Sequence, residues 1–203
     1  MSRRAAGPAL AIGAALACLL ASALAGAHLD GYSHLAHPLG LPGARQLGAA
    51  GVGFGLCAFV LPGLVQAWQA LRLRGALPPA SGWIARIGLQ LLLLAALAFA
   101  AQGLLPLDLE SLDSGASRWH ALAWLVWALA FPLGALLAAA GTWRLPGRRP
   151  DAGVLLAAGV LVAGGAFLGS GAAAPLLQRA AVLAWLLWGV CAALRPPLSR
   201  GAA

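Results

Sequence analysis

Long apolar stretches separated by short polar segments run through the whole chain. Six of them reach the length at which an α-helix, rising about 1.5 Å per residue, crosses about 30 Å of hydrocarbon. The pattern predicts an all-α, polytopic membrane protein, a single transmembrane domain over residues 1–203 built as a six-helix transmembrane bundle. The predicted helices lie near residues 8–28, 47–70, 83–105, 119–141, 153–170 and 176–194.

Composition excludes a soluble domain. Hydrophobic residues make up 62% of the chain and charged residues 9%, whereas soluble domains contain about 45–50% apolar and about 25% charged residues. The net charge of +8 would suggest a nucleic-acid partner in a soluble protein. Here the basic residues lie in short segments between apolar runs, so no nucleic-acid function is predicted. The apolar run that follows Arg3 and Arg4 is long enough to span, and we expect it to remain as an uncleaved first helix.

The basic residues also predict an orientation, because arginine and lysine concentrate in the cytoplasmic loops of membrane proteins. All thirteen are arginines, and only Arg45, Arg118 and Arg179 fall on the predicted outer side. This arrangement predicts that both termini are cytoplasmic. The absence of lysine, with abundant Ala, Leu and Gly, is typical of proteins from GC-rich bacterial genomes, so we expect a bacterial inner (plasma) membrane. The predicted cytoplasmic side carries Arg3, Arg4, Arg72, Arg74, Arg86, Arg144, Arg148, Arg149, Arg195 and Arg200.

The stretch DGYSHLAHPLG, residues 30–40, concentrates polar side chains directly after the first predicted helix. All four histidines of the chain fall on the predicted outer side, as do four of the five acidic residues. We therefore predict an extracytoplasmic polar layer that binds either a lipid headgroup of the surrounding membrane or a partner membrane protein. The candidate binding cluster consists of Asp30, Tyr32, Ser33, His34, His37, Asp108 and His120.

A metal-dependent membrane enzyme acting on lipid or envelope substrates is the first alternative. Zinc needs three or four His, Cys or carboxylate ligands, and His34, His37 and His120 are the candidates. Pro38 biases His37 away from helical geometry, no HExxH signature is present, and no catalytic residue is assigned. Haem bound by two histidines is a further alternative, limited to one haem because no histidine lies near the cytoplasmic side. The last alternative is an accessory subunit of a larger membrane complex.

Coupled transport is disfavoured by the positions of the ionisable residues. Carriers of ions or protons place such groups inside the membrane, where they are energetically unfavourable and usually functional. No Asp, Glu, Lys, Arg or His lies near the centre of a predicted helix, and Gln90 is the most prominent polar residue at depth. The polar loops are therefore the better candidates for a functional surface.

Two stretches resemble a known family of bacterial multi-pass membrane proteins. They are DGYSHLAHPLGLPGARQLGAAGVGFGLCAFVLPGLV and, later, LLPLDLESLDSGASRWHALAW. This chain is similar to the proteins grouped as domain of unknown function 998, and the resemblance covers most of its length. The resemblance implies a compact helical bundle without an established activity. The matching positions are Tyr32, Ser33, Gly43, Pro106, Asp108 and His120.

Overall fold

Six long apolar helices form the protein in the computed structural model, which describes residues 3–79, 81–169 and 171–195. Arg200 and the side chains of Arg3 and Arg4, which entered the orientation prediction, lie outside the described part. Each of the six helices is long and apolar enough to cross a membrane. They are α1 (Arg3–His28), α2 (Gly48–Gly55, Leu56–Val60 and Leu61–Gly75 in succession), α3 (Trp83–Leu104), α4 (Gly115–Thr142), α5 (Arg149–Phe167) and α6 (Ala174–Leu194).

The helices pack as a closed ring. Each one contacts its neighbours in sequence, and α1 completes the ring by packing against both α2 and α6. This order follows from the short loops, which leave consecutive antiparallel helices side by side. Over the described residues, the prediction of an all-α protein with six helices long and apolar enough to span a membrane is confirmed.

The start of α4 and the end of α2 differ from the positions predicted by hydropathy, because hydrogen bonding at the helix ends also decides where a helix begins and stops. Helix α4 begins at Gly115 rather than near residue 119, because the Ser114 hydroxyl accepts a hydrogen bond from the Ser117 N–H and caps the helix. Helix α2 continues to Gly75 through a polar turn that contains Arg72. Its backbone hydrogen bonds are internal to the segment, so the helix does not need an apolar environment to continue.

Small residues allow the most extensive helix contact, between α3 and α4. A Cβ atom built on Gly88 would overlap the backbone of Ala138, and one built on Gly141 would overlap Ala85. Such close approach maximises van der Waals contact where no hydrophobic effect drives association in lipid. Elsewhere, α2 changes to a π-helical turn over Leu56–Val60. This turn ends two residues before Pro62, whose ring lacks the N–H that a regular helix needs.

Aromatic side chains fill the centre of the ring. The Phe99 ring lies 4.3 Å from the Trp185 ring and 5.4 Å from the Trp127 ring, centroid to centroid, and all three side chains are fully buried. Their packing joins α3, α4 and α6.

Three amide side chains are also buried inside the bundle. Gln66, Gln69 and Gln102 are all buried. Gln90, which the sequence singled out as the prominent polar residue at depth, lies instead on the exposed surface of α3. Hydropathy gives the depth of a residue along a helix, whereas the face it occupies depends on how that helix packs.

Candidate functional site

Three segments meet at one end of the bundle: the first loop (residues 29–47), the third loop (105–114) and the start of α6. The Arg45 N–H donates to the Leu107 carbonyl at 2.9 Å, and the Leu39 N–H donates to Gln178 Oε1 at 2.9 Å. All four histidines belong to this end, which we call the histidine end. The opposite end, where α2 leads to α3 and α4 leads to α5, is the arginine end.

Tyr32 is the centre of a compact polar group in the first loop. Its ring stacks on His37 at 5.7 Å and meets the edge of His34 at 5.2 Å, between centroids. Its phenol oxygen accepts a hydrogen bond from Arg179 Nη2 at 2.6 Å. The Ser33 N–H donates to His37 Nδ1 at 3.0 Å. These five residues form the Tyr32 cluster, in which α6 supplies the only cation.

Arg179 holds the cluster to α6 without a neutralising acid. Its Nη1 donates to the His37 carbonyl at 3.0 Å and to the Pro175 carbonyl at 2.9 Å. Its Nε is buried and has no hydrogen-bond partner. Within the described ranges the ion pairs involve Arg45, Arg148 and Arg195, and none reaches Arg179. The cluster therefore presents a positive charge that the described residues leave uncompensated.

Burial and Arg179 set the protonation of the cluster. Burial raises the pKa of Tyr32, although the nearby Arg179 charge and hydrogen bond act in the opposite direction. Burial lowers the pKa of His34, and the Arg179 charge lowers it further. At neutral pH Tyr32 therefore keeps its proton and His34 is uncharged.

His37 and Tyr32 each keep a donor available. Because His37 Nδ1 accepts a hydrogen bond from the Ser33 N–H, the ring proton lies on Nε2. Because the Tyr32 oxygen accepts from Arg179, its O–H can donate elsewhere. Arg179 Nη2 carries a second proton besides the one donated to Tyr32, so three N–H or O–H groups of the cluster can donate to an anion.

Asp108 belongs to a separate polar group in the third loop. It is buried, accepts hydrogen bonds from Gln46 Nε2 at 2.6 Å and from the Glu110 N–H at 3.2 Å, and pairs with Arg45 at 2.9 Å. The Gln46 hydrogen bond, supported by the Glu110 N–H and the Arg45 charge and opposed by burial, lowers the pKa of Asp108. Its own N–H donates to Ser117 Oγ at 3.0 Å. This group ties the third loop to the starts of α2 and α4.

His120 is buried at the start of α4. Its Nδ1 lies 2.8 Å from the Leu105 carbonyl and 3.2 Å from the Gln102 carbonyl. Carbonyl oxygens only accept, so Nδ1 carries the proton and donates. Its Nε2 faces Gly40, where a Cβ atom would come within 2.8 Å of it. His120 therefore joins α4 to the end of α3 and lies beneath the first loop.

A groove adjoins the Tyr32 cluster between α4, α5 and α6. Its volume is about 320 Å³, and its walls include Trp124, Gly165, Gly169, Pro175 and Gln178. The Pro175 carbonyl also accepts from Arg179, so the groove begins where the cluster ends. Small residues leave this space open beside an aromatic wall.

The predicted candidate residues thus separate into distinct places. Tyr32, Ser33, His34 and His37 come together, whereas Asp108 and His120 belong to the two other groups described above. Asp30 is exposed. Among the residues that the structure describes, no three His, Cys, Asp or Glu side chains lie close enough together to hold a metal ion. The convergence of three ligands that the zinc hypothesis requires is not found there.

Sequence reasoning missed Arg179 and Gln178 as parts of the candidate site. Arg179 was used only to predict orientation. Its position beside Tyr32 depends on α6 returning next to α1, which the sequence does not state. The one available signal was that Arg179 is a cation at the polar start of an otherwise apolar helix, on the side that carries few arginines.

The six spans and their polar ends define a multi-pass membrane protein. No family model, no curated protein and no solved structure matches this chain. The resemblance to domain of unknown function 998 stays a prediction.

Proposed function

We propose that the histidine end binds the phosphate headgroup of a membrane lipid. The observation that carries this proposal is the half-buried Arg179, fixed by the Tyr32 hydroxyl and the His37 carbonyl and left without an acidic partner among the described residues. Arginine recognises phosphate oxygens well, because its planar guanidinium offers several donors in a fixed geometry.

The hydrogen-bonding roles in the cluster support an anionic ligand. The Tyr32 O–H, the His37 Nε2–H and the second Nη2–H of Arg179 are donors, and a phosphate oxygen is only an acceptor. Asp108, the buried acid nearby in the loops, is already paired with Arg45 and Gln46. Its negative charge is therefore compensated by these partners, and it repels a bound anion less than an unpaired carboxylate would.

The groove beside the Tyr32 cluster favours a lipid over a free phosphate ion as the ligand. A lipid whose phosphate contacts Arg179 can place the start of an acyl chain between α4, α5 and α6, where about 320 Å³ is open beside Trp124. The same ligand then satisfies the positive charge and fills the apolar space.

Orientation is part of the proposal. We infer that the histidine end is extracytoplasmic and that the membrane is a bacterial inner membrane. The support is the concentration of arginines at the other end, where Arg72, Arg74, Arg86, Arg144 and Arg148 all lie near helix termini. A cysteine introduced at the exposed Ser111, tested with a thiol reagent that does not cross membranes, should react in intact cells.

Native mass spectrometry of the full chain tests the lipid proposal. The protein is released from micelles containing phosphatidylglycerol or phosphatidylcholine, and bound lipid is counted. We expect phosphatidylglycerol to be retained, and Arg179→Gln to weaken its binding about tenfold, because a lost charge-assisted hydrogen bond corresponds to about 1.5 kcal/mol or more. Arg118→Gln, an exposed arginine of the same end outside the cluster, is the matched control.

Two results would overturn this proposal. Equal retention of phosphatidylglycerol by the wild type and Arg179→Gln would show that the cluster does not hold the lipid. A membrane protein that co-purifies with the wild type and is lost in Arg179→Gln, without any change in lipid, would instead assign this surface to a partner membrane protein.

A further inference from the structure

A cavity of about 150 Å³ opens at the arginine end, where α2 to α6 surround it. It extends from Arg195 at its mouth to Trp188, positions about 10 Å apart along α6 at about 1.5 Å per residue. Its walls between these levels are mainly apolar and include Leu73, Leu89 and Leu155. A cavity of about this volume accommodates a molecule the size of benzene.

Charged groups line the mouth of this cavity. Asp151 lies between two arginines, 3.0 Å from Arg148 and 2.9 Å from Arg195, and all three line the cavity. Arg72 also lines the cavity, so three cations and one anion leave it with an excess positive charge. The Arg195 side chain remains 45% exposed, so it can bind another anion without losing Asp151.

Gln69 gives the cavity a polar group at depth. Its side chain lines the cavity, only 4% of the residue is exposed, and neither its amide oxygen nor its amide nitrogen has a hydrogen-bond partner. Buried polar groups are normally hydrogen-bonded, so an amide with both atoms unpartnered needs an explanation. A ligand in the cavity supplies one.

We propose that this cavity binds an amphipathic anion: a carboxylate or phosphate at the mouth, held by Arg148 and Arg195, joined to an apolar body about the size of a benzene ring whose far end carries a hydrogen-bonding group for Gln69. The three parts of the ligand match the cationic mouth, the leucine walls and the unpartnered amide. This site is independent of the Tyr32 cluster, which lies at the other end of the bundle.

Calorimetric titration of the full chain in phosphatidylcholine nanodiscs tests the proposal. The probe is 4-(4-hydroxyphenyl)butyrate, compared with 4-phenylbutyrate, which lacks the hydroxyl, and with 4-(4-hydroxyphenyl)butan-1-ol, which keeps the phenol and lacks the charge. We expect 1:1 binding of the probe and binding about tenfold weaker for each analogue. Equal affinities for the acid and the alcohol, or no binding of any of them, would overturn the proposal.

Matched pairs of variants test which side chains bind the hydroxyl and the carboxylate of the probe. Gln69→Leu should remove the advantage of the hydroxylated probe, whereas Gln90→Leu, on the exposed face of α3, should preserve it. Arg148→Gln should weaken both acids, whereas Arg74→Gln, exposed and outside the cavity, should not. If the two members of a pair behave alike, the assignment of that end is wrong.

A variant that fills the cavity should block binding while the protein remains folded. The same variant helps to identify the source of the natural ligand. Ala192 lines the cavity and is half-buried, so Ala192→Phe should block the probe while the thermal unfolding temperature stays near that of the wild type. Mass spectrometry of the protein purified from cells then separates two sources. An acidic lipid retained by the wild type and absent from Ala192→Phe indicates a membrane lipid, and an empty protein that binds the probe indicates a soluble anion.

Discussion

The hydrogen bond between Tyr32 and Arg179 should be measurable as a coupling energy. Arg179 makes two bonds that cross to the first loop, to the Tyr32 hydroxyl at 2.6 Å and to the His37 carbonyl at 3.0 Å. Hydrogen bonds to charged groups contribute about 1.5–3 kcal/mol each, and half-burial favours the lower value. Tyr32→Phe should therefore reduce the free energy of unfolding by about 1.5 kcal/mol, and Arg179→Gln by about 3 kcal/mol.

The double variant isolates the bond. Once Arg179 is replaced, the Tyr32 hydroxyl has lost its donor, so Tyr32→Phe should have almost no additional effect. The coupling energy expected from the double-mutant cycle is about 1.5 kcal/mol. The phenylalanine ring keeps the stacking on His37, so the comparison removes only the hydroxyl.

Unfolding by urea in zwitterionic micelles, followed by tryptophan fluorescence, is a suitable assay, because urea carries no charge. Micelles without anionic lipid keep the measurement separate from lipid binding. A coupling energy near zero would contradict the reasoning, because it would mean that the first loop is not held by this bond.

Three further predictions concern protonation and packing. Because burial lowers the pKa of His34, stability should fall as the pH falls below about 6.5; fluorescence-monitored unfolding should show this fall reduced in His34→Gln. Because hydrogen bonds lower the pKa of Asp108, a second loss of stability should begin only below about pH 4. This second loss should be absent from Asp108→Asn. The melting temperature of Asp108→Asn at pH 7 should be lower than that of the wild type. Gly88→Val should destabilise the protein by about 1–3 kcal/mol through overpacking against α4, whereas Gly53→Val, with open space around it, should leave the unfolding free energy nearly unchanged.

The helical architecture could be predicted from the sequence because a membrane restricts the structures that can cross it. A backbone in hydrocarbon must satisfy its hydrogen bonds within the segment, so apolar runs of sufficient length become helices. Six runs therefore gave six helices. Helix faces were not predictable in the same way, because Gln90 and Gln69 have the same amide but only Gln69 is turned into the ring.

Only the part of the candidate site that lies in the first loop could be predicted from the sequence. Tyr32, Ser33, His34 and His37 are neighbours in sequence, and a short loop keeps such neighbours together. Arg179 joins them only because the ring closes between α1 and α6. Sequence spacing carries no information about that closure, and it is the closure that brings a cation to the loop.

Solid-state NMR can measure the proposed contact between a lipid phosphate and Arg179 directly. In phosphatidylglycerol bilayers containing the full chain labelled with ¹³C at arginine Cζ, we expect a Cζ to phosphorus distance of about 4 Å, as charge-assisted bonds of about 2.8 Å imply. Because all thirteen arginines carry the label, Arg179→Gln should lose only the Arg179 contribution to this ¹³C–³¹P signal, and Arg118→Gln should keep that contribution. An identical signal in Arg179→Gln and in the wild type would contradict the account.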